Sequence, residues 1–144
     1  NYLAPKYVSF KKLIRESDVL SVHSVLSDLT RGLFNMDVFR QLKPTAIFIN
    51  TSRGGVHNEA DLIEALNQGL IWGAGLDVTN PEPMKPDNPL LEMPNVAVLP
   101  HIGSATVEAR TGMARIAAEN IISFYQSGEV PNCINRQVLE VRKS

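Results

Sequence analysis

Ala46-Ile47-Phe48-Ile49-Asn50-Thr51-Ser52-Arg53-Gly54-Gly55 is the stretch whose reading decides the fold. Four apolar residues in succession read as a strand buried on both faces, the pattern of a parallel sheet. The run stops at Asn-Thr-Ser and delivers a guanidinium at the strand's carboxyl end, directly before two glycines. Ligands of open α/β sheets gather at that edge. An arginine there offers a planar fork of donors matched to a carboxylate. From this stretch alone, a surface arginine that merely closes a strand reads equally well.

Toward the N-terminus, Ser9 is a hydroxyl N-cap for a short helix over Phe10–Glu16. Val19 to Val25 follows as a β-branched, partly alternating strand, with His23 in its middle. Asn35 caps a helix that must end before Pro44, and Phe34 and Phe39 stand at the positions of a hydrophobic staple. Toward the C-terminus, Asn58 caps a helix from Glu59 to Gln68 that carries Leu62, Ile63 and Leu66 on one face and stops at Gly69. Ile71 to Val78 reads as a strand containing Asp77, and five prolines between Pro81 and Pro94 enforce a loop. Asn95 to Leu99 is a further short strand, followed by Pro100-His101-Ile102-Gly103-Ser104. Thr106 opens a helix to about Gln126, with Ala, Ile and Met along a buried side and Gly128 past its end. Strands alternating with helices through short loops predict an α/β fold with a doubly wound parallel sheet. That class alone carries no function.

The bulk properties exclude several classes. A chain of 144 residues has room for one ordinary domain and can bury roughly 70% of its unfolded surface without a disulfide or metal staple. A formal net charge of −1 makes no electrostatic case for nucleic acid or an anionic membrane. The lone Cys133 excludes an internal disulfide and offers no zinc spacing, which suits a reducing cytoplasm, and no metal site is expected. Apolar runs fall far short of about 18 residues, and Asn1-Tyr-Leu-Ala-Pro-Lys has no signal-peptide core.

Arg53, Asp77, Glu82 and His101 all fall at or just after carboxyl ends of strands, on one rim. Each has a plain alternative: strand-closing Arg, turn-starting Asp, solvated loop Glu and structural His. Their coincidence supplies a carboxylate clamp, a proton donor and a partner for that donor. His23 reads as a packed, hydrogen-bonded residue and His57, at a helix start, as partly exposed. Gly73-Ala74-Gly75 imitates the opening of GxGxxG but has Val78 where the third glycine belongs, and it sits within a strand. Trp72, Phe124 and Tyr125 read as core.

Phe48–Gly55, Gly75–Val78 with Pro81-Glu82-Pro83, and Leu99–Thr106 together resemble the D-isomer-specific 2-hydroxyacid dehydrogenases, most closely their glyoxylate/hydroxypyruvate reductase branch. The likeness runs from about Tyr7 to Asn135. It implies a Rossmann-type cofactor domain over 1–130 and a tail over 131–144 that returns toward a substrate domain. It also implies NAD or NADP as cofactor, a small 2-keto or 2-hydroxy acid as substrate, and a cytoplasmic homodimer. By position, the resemblance makes Arg53 the binder of substrate carboxylate and carbonyl, His101 the acid/base and Glu82 its orienting carboxylate. Asp77 would read the nicotinamide carboxamide, while Thr51, Ser52, Ile102, Gly103 and Ser104, beside Arg53 and His101, would contact the cofactor. Other substrates of the family, 3-phosphoglycerate or D-lactate, remain open, as does a non-catalytic corepressor-like module. Val25 and His57 depart from the family pattern, which has proline and an aliphatic residue there.

The family's GxGxxG loop and ribose-reading residue have no counterpart in this sequence. The resemblance therefore implies that the first two strands are missing and that the chain is a piece of a longer enzyme, inactive alone. With the His23 strand as third in the order 3-2-1-4-5-6, it would stand about 14 Å from the Arg53 strand, too far to pair.

Overall fold

The structure is a computed structural model that describes residues 5–140. The outer ends of the two segments expected from the sequence, residues 1–4 and 141–144, lie outside the described residues. Packing divides the chain after Ile102, ahead of the long helix, whereas the sequence-based boundary falls at 130/131. The first unit is built from β1 (Val19–Val22), β2 (Ile47–Asn50), β3 (Gly73–Leu76) and β4 (Val96–Val98), with α1 (Phe10–Glu16), α2 (Met36–Phe39) and α3 (Glu59–Asn67) between or before them. The second holds α4 (Val107–Ser127) and α5 (Gln137–Glu140).

The helix starts are set locally. Ser9, Asn35, Asn58 and Thr106 each accept a backbone N–H of the first turn on the side chain, which satisfies a donor that the helix itself leaves unpaired. Gly128 ends α4 at φ 75°, a conformation that favours glycine. Asp61 ties two helices together by accepting the Met36 N–H at 2.9 Å.

All four strands are parallel and stand in chain order, β1-β2-β3-β4. Val19 pairs with Ile47, Ile47 with Gly73, and Ala74 with Val96. This overturns the expected gap between the His23 and Arg53 strands. β1 takes the place next to β2, which the third strand of the doubly wound order could not do, and the two pair directly with no unpaired edge between them. Gly73 marks a close approach: a Cβ there would lie 2.4 Å from the Asn95 carbonyl oxygen. Strand packing thus accounts for this glycine without a phosphate loop.

The core gathers around Phe48, fully buried, whose ring meets Phe34 at 5.3 Å and Phe39 at 5.4 Å. The two staple residues therefore meet through Phe48. Leu62, Ile71, Leu76 and Leu90 close the rest. Several expectations fail. β1 ends at Val22, and His23 is exposed beyond it, bonded through Nε2 to the Ser21 hydroxyl at 2.8 Å. Trp72 is 58% exposed because it precedes β3 and lies outside the alternation of the strand. Tyr125 is exposed, Phe124 is half-buried, and α4 has no buried residue among the described residues, so the buried side expected for its apolar stripe is not found.

Candidate active site

The carboxyl ends of β2, β3 and β4 form one rim, and the ladder continues past the named strands. Asp77 N–H donates to the Asn50 carbonyl at 3.0 Å and Leu99 N–H to the Leu76 carbonyl at 2.7 Å. Asp77 and the Pro100–His101 turn are carried to adjacent places by backbone pairing alone. Asp77, 5% exposed, accepts the Ile102 N–H on Oδ1 at 2.8 Å, which pins the segment just after His101. His101 itself adopts φ 56°, the left-handed region. This costs a non-glycine residue roughly 1–2 kcal/mol, a local strain held by the surrounding contacts.

His101 Nδ1 lies 2.5 Å from Glu82 Oε1. Nineteen residues of sequence separate the partners, and the Pro-flanked loop carries Glu82 back over the end of β4. The bond orients the ring and leaves Nε2 as the nitrogen for a reacting group. Both side chains are about 40% exposed, so the pair's value lies in orientation rather than stability. A cavity of about 510 Å³ opens here, lined by Asp77, Thr79, Glu82 and His101 among the polar residues and by Met84, Leu91, Val98 and Leu99 among the apolar ones.

Arg53 is not among the lining residues of that cavity. Its guanidinium is exposed and turns back to donate from Nη1 to the Ser52 carbonyl at 2.6 Å. Its backbone is nonetheless fixed to the same rim, because Gly54 lies flush against Thr79: a Cβ at Gly54 would stand 1.9 Å from the Thr79 carbonyl oxygen. The structure thus brings Asp77, Glu82, His101 and the Ile102 amide together. It leaves the Arg53 side chain outside the cavity and Thr51 exposed. Gly103 and Ser104 open the second unit.

Two residues escaped the sequence reading. Asn50, fully buried, accepts from the Ser52 N–H at 3.0 Å and the Ser52 hydroxyl at 2.9 Å, and donates to the Arg53 carbonyl at 3.0 Å. Its fourth bond joins His57 Nδ1 at 2.9 Å. The signal for Asn50 was parity: it shares the buried face of β2 with Phe48, where a polar amide needs a dedicated network. His57, expected to be partly exposed, is 2% exposed, with its ring against Phe48.

Burial lowers the His57 pKa from 6.5 to about 4, because a charged ring would lose its hydration. The folded state therefore holds a neutral ring through a window in which the unfolded chain takes up a proton. Stability from this group is fully present above pH 6.5 and is lost as the pH falls toward 4. Between pH 8 and pH 5 the chain is expected to lose about 2 kcal/mol through His57. Urea unfolding at the two pH values, with His57→Leu as the non-titrating reference, measures that difference.

Among the described residues no helix is long and apolar enough to cross a membrane, and no three His, Cys, Asp or Glu side chains cluster as metal ligands. The chain is similar to the glyoxylate reductase of Aeropyrum pernix, 44% identical over 141 residues that cover 98% of this chain and 42% of that protein. Among solved structures it is similar to a glyoxylate reductase from Paecilomyes thermophila, with TM-score 0.82, 34% identity, and coverage of 95% of this chain and 43% of that one. It is likewise similar to an NADPH-dependent glyoxylate/hydroxypyruvate reductase from Sinorhizobium meliloti in complex with NADP and malonate, with TM-score 0.78, 37% identity, and coverage of 84% and 38%. The chain thus spans about two-fifths of the length of the proteins it matches. The family model described as D-isomer specific 2-hydroxyacid dehydrogenase, NAD binding domain, matches residues 1–103, and the chain belongs to that family.

Proposed function

We propose that this chain carries the reacting groups of an NAD(P)H-linked reductase that converts a small 2-keto acid, glyoxylate or hydroxypyruvate, to the 2-hydroxy acid. The observation that carries the reading is the 2.5 Å His101–Glu82 pair at a cavity that Asp77 also lines. The residues suit the nicotinamide end of the cofactor: a buried carboxylate, Asp77, lines the cavity beside apolar side chains that would flank a flat ring. When bound, the reduced nicotinamide supplies the hydride to the substrate's C2.

His101 donates a proton from Nε2 to the oxygen that becomes the hydroxyl, while Glu82 holds Nδ1 and so fixes the direction in which the ring presents Nε2. Asp77 would accept from the carboxamide of a bound nicotinamide and, through the Ile102 N–H, keeps the His101 turn in place. Arg53 swings off the Ser52 carbonyl to take the substrate carboxylate with its two-pronged fork. There its attraction grows as charge develops on the neighbouring carbonyl. Ser52 and Thr51, on the rim of the first unit, are proposed cofactor contacts.

The test is reduction of glyoxylate, hydroxypyruvate, pyruvate and 3-phosphohydroxypyruvate, with NADH and with NADPH, by the full-length protein that carries this chain. Arg53→Lys is expected to raise KM for the 2-keto acid about tenfold or more, since a point charge cannot replace the fork. An unchanged KM would remove Arg53 from substrate binding. Preference for 3-phosphohydroxypyruvate or pyruvate would redirect the substrate assignment. We extend the proposal to a cytoplasmic homodimer. The single cysteine and the exposed apolar side chains of α4, Ile116, Ile121 and Ile122 among them, support it. Equilibrium sedimentation of the full-length protein tests the dimer.

A further inference from the structure

We infer that His57 is a positioning residue: by accepting a hydrogen bond from Asn50 it holds the Ser52–Arg53 turn in the shape from which Arg53 reaches the substrate. The catalytic part of this inference rests on the function proposed above; the structural part does not.

The bonding pattern determines the chemistry of the pair. Asn50 Oδ1 faces two donors, the Ser52 N–H and the Ser52 hydroxyl, so the oxygen must lie on that side. Its Nδ2 then faces the Arg53 carbonyl, which can only accept, and His57 Nδ1. An amide nitrogen can only donate, so Nδ1 is the accepting nitrogen and the neutral ring carries its proton on Nε2. With this assignment Asn50 makes all four hydrogen bonds it can. His57 is held in turn from its own side: its N–H donates to the Gly54 carbonyl at 3.2 Å, and its ring stacks edge-on to Phe48 at 5.8 Å. The turn that bears Arg53 is therefore clamped at Ser52 and Arg53 by Asn50, and Asn50 is clamped by His57.

A histidine that merely filled space would be replaceable by an aliphatic side chain at no cost to the turn. Here that replacement removes one of the two acceptors of a buried amide, leaving an N–H unpaired away from water. Protonation of Nδ1 has the same effect by a different route, since two N–H donors would then face each other. The charged groups on the neighbouring elements are Arg31, in the loop before α2, and Glu59, on α3, both lining the cleft that His57 borders. Glu59 is engaged with Asn88 Nδ2 at 2.7 Å and Asn80 N–H at 3.4 Å. His57 Nε2 has no hydrogen-bond partner among the described residues, so no carboxylate offsets a charge on the ring. The coupling runs through Nδ1 and Asn50.

The experiment uses the isotopically labelled chain and the full-length protein. In the chain, NMR is expected to report a protonated Nε2 and an unprotonated Nδ1 on His57. On acidification, the Asn50 side-chain amide and the Ser52 backbone amide are expected to shift with the same midpoint as the His57 ring. His57→Leu should reduce Ser52 amide protection about tenfold, and His57→Asn, which presents an amide oxygen near the position of Nδ1, should restore most of it. In the full-length protein, His57→Leu should raise KM for glyoxylate about three- to tenfold with kcat within about twofold, and His57→Asn should return KM toward the parent value. Asn50 and Ser52 signals that ignore both the His57 midpoint and the His57→Leu change would overturn the inference, whatever the activity. Coupled signals in a protein that reduces no 2-keto acid would support the clamp and defeat the proposed function instead. The titration of the unaltered chain decides the matter even if His57→Leu fails to fold.

Discussion

Replacing His101 by alanine is expected to lower kcat for glyoxylate reduction about 10²–10⁴-fold in the full-length protein, the usual scale for a positioned proton donor. The expectation follows from three linked features. Glu82 Oε1 occupies Nδ1 at 2.5 Å, so Nε2 is the nitrogen available to a reacting oxygen. Asp77 Oδ1 holds the next amide, Ile102 N–H, and so sets where the ring emerges from the chain. The backbone at His101 is kept at φ 56° against its local preference, a strain that serves to point the side chain. Alanine at the same φ carries a similar strain, so unfolding free energy should change by no more than about 1 kcal/mol. The comparison of rate with stability separates lost chemistry from lost fold. A near-parental rate from a folded His101→Ala protein would mean that the proton comes from elsewhere.

Gly54→Ala is expected to destabilise the chain by about 3 kcal/mol or more and to abolish most activity together with it. The added Cβ would stand 1.9 Å from the Thr79 carbonyl oxygen, 2.2 Å from its carbon and 2.9 Å from Asn80 N. Atoms of this kind attract at about 3.5–4.0 Å and repel steeply below that. All three neighbours are backbone, so no rotamer change relieves the clash, and overpacking of this severity lies at the upper end of its usual cost. The segments that would part are those carrying Arg53 on one side and Asp77 through Glu82 on the other. Gly112→Ala, in α4 with nothing within 4 Å of the new methyl, is the matched control and should stabilise by up to about 1 kcal/mol. Equal stability of the two variants in denaturant unfolding would show that the Gly54–Thr79 approach is looser than described.

Local sequence determined the caps, because each needs only a side-chain oxygen and an N–H three residues on. Ser9, Asn35, Asn58 and Thr106 are read correctly for that reason, and so is Gly128. The strand ends that hold Asp77 and His101 were legible too, since an apolar run broken by a polar residue marks the rim of a parallel sheet. Only the tertiary structure decided which strands are neighbours, because parallel pairing joins residues far apart in the chain and leaves no short-range trace; β1 lies beside β2, where a gap had been expected. Long-range packing likewise brought Glu82 to His101, kept the Arg53 guanidinium out of the cavity, and buried His57 against Phe48. Burial of His57 depends on a turn that returns to its own strand. The amide of Asn50 both requires that return and supports it, and neither residue by itself reveals the bond.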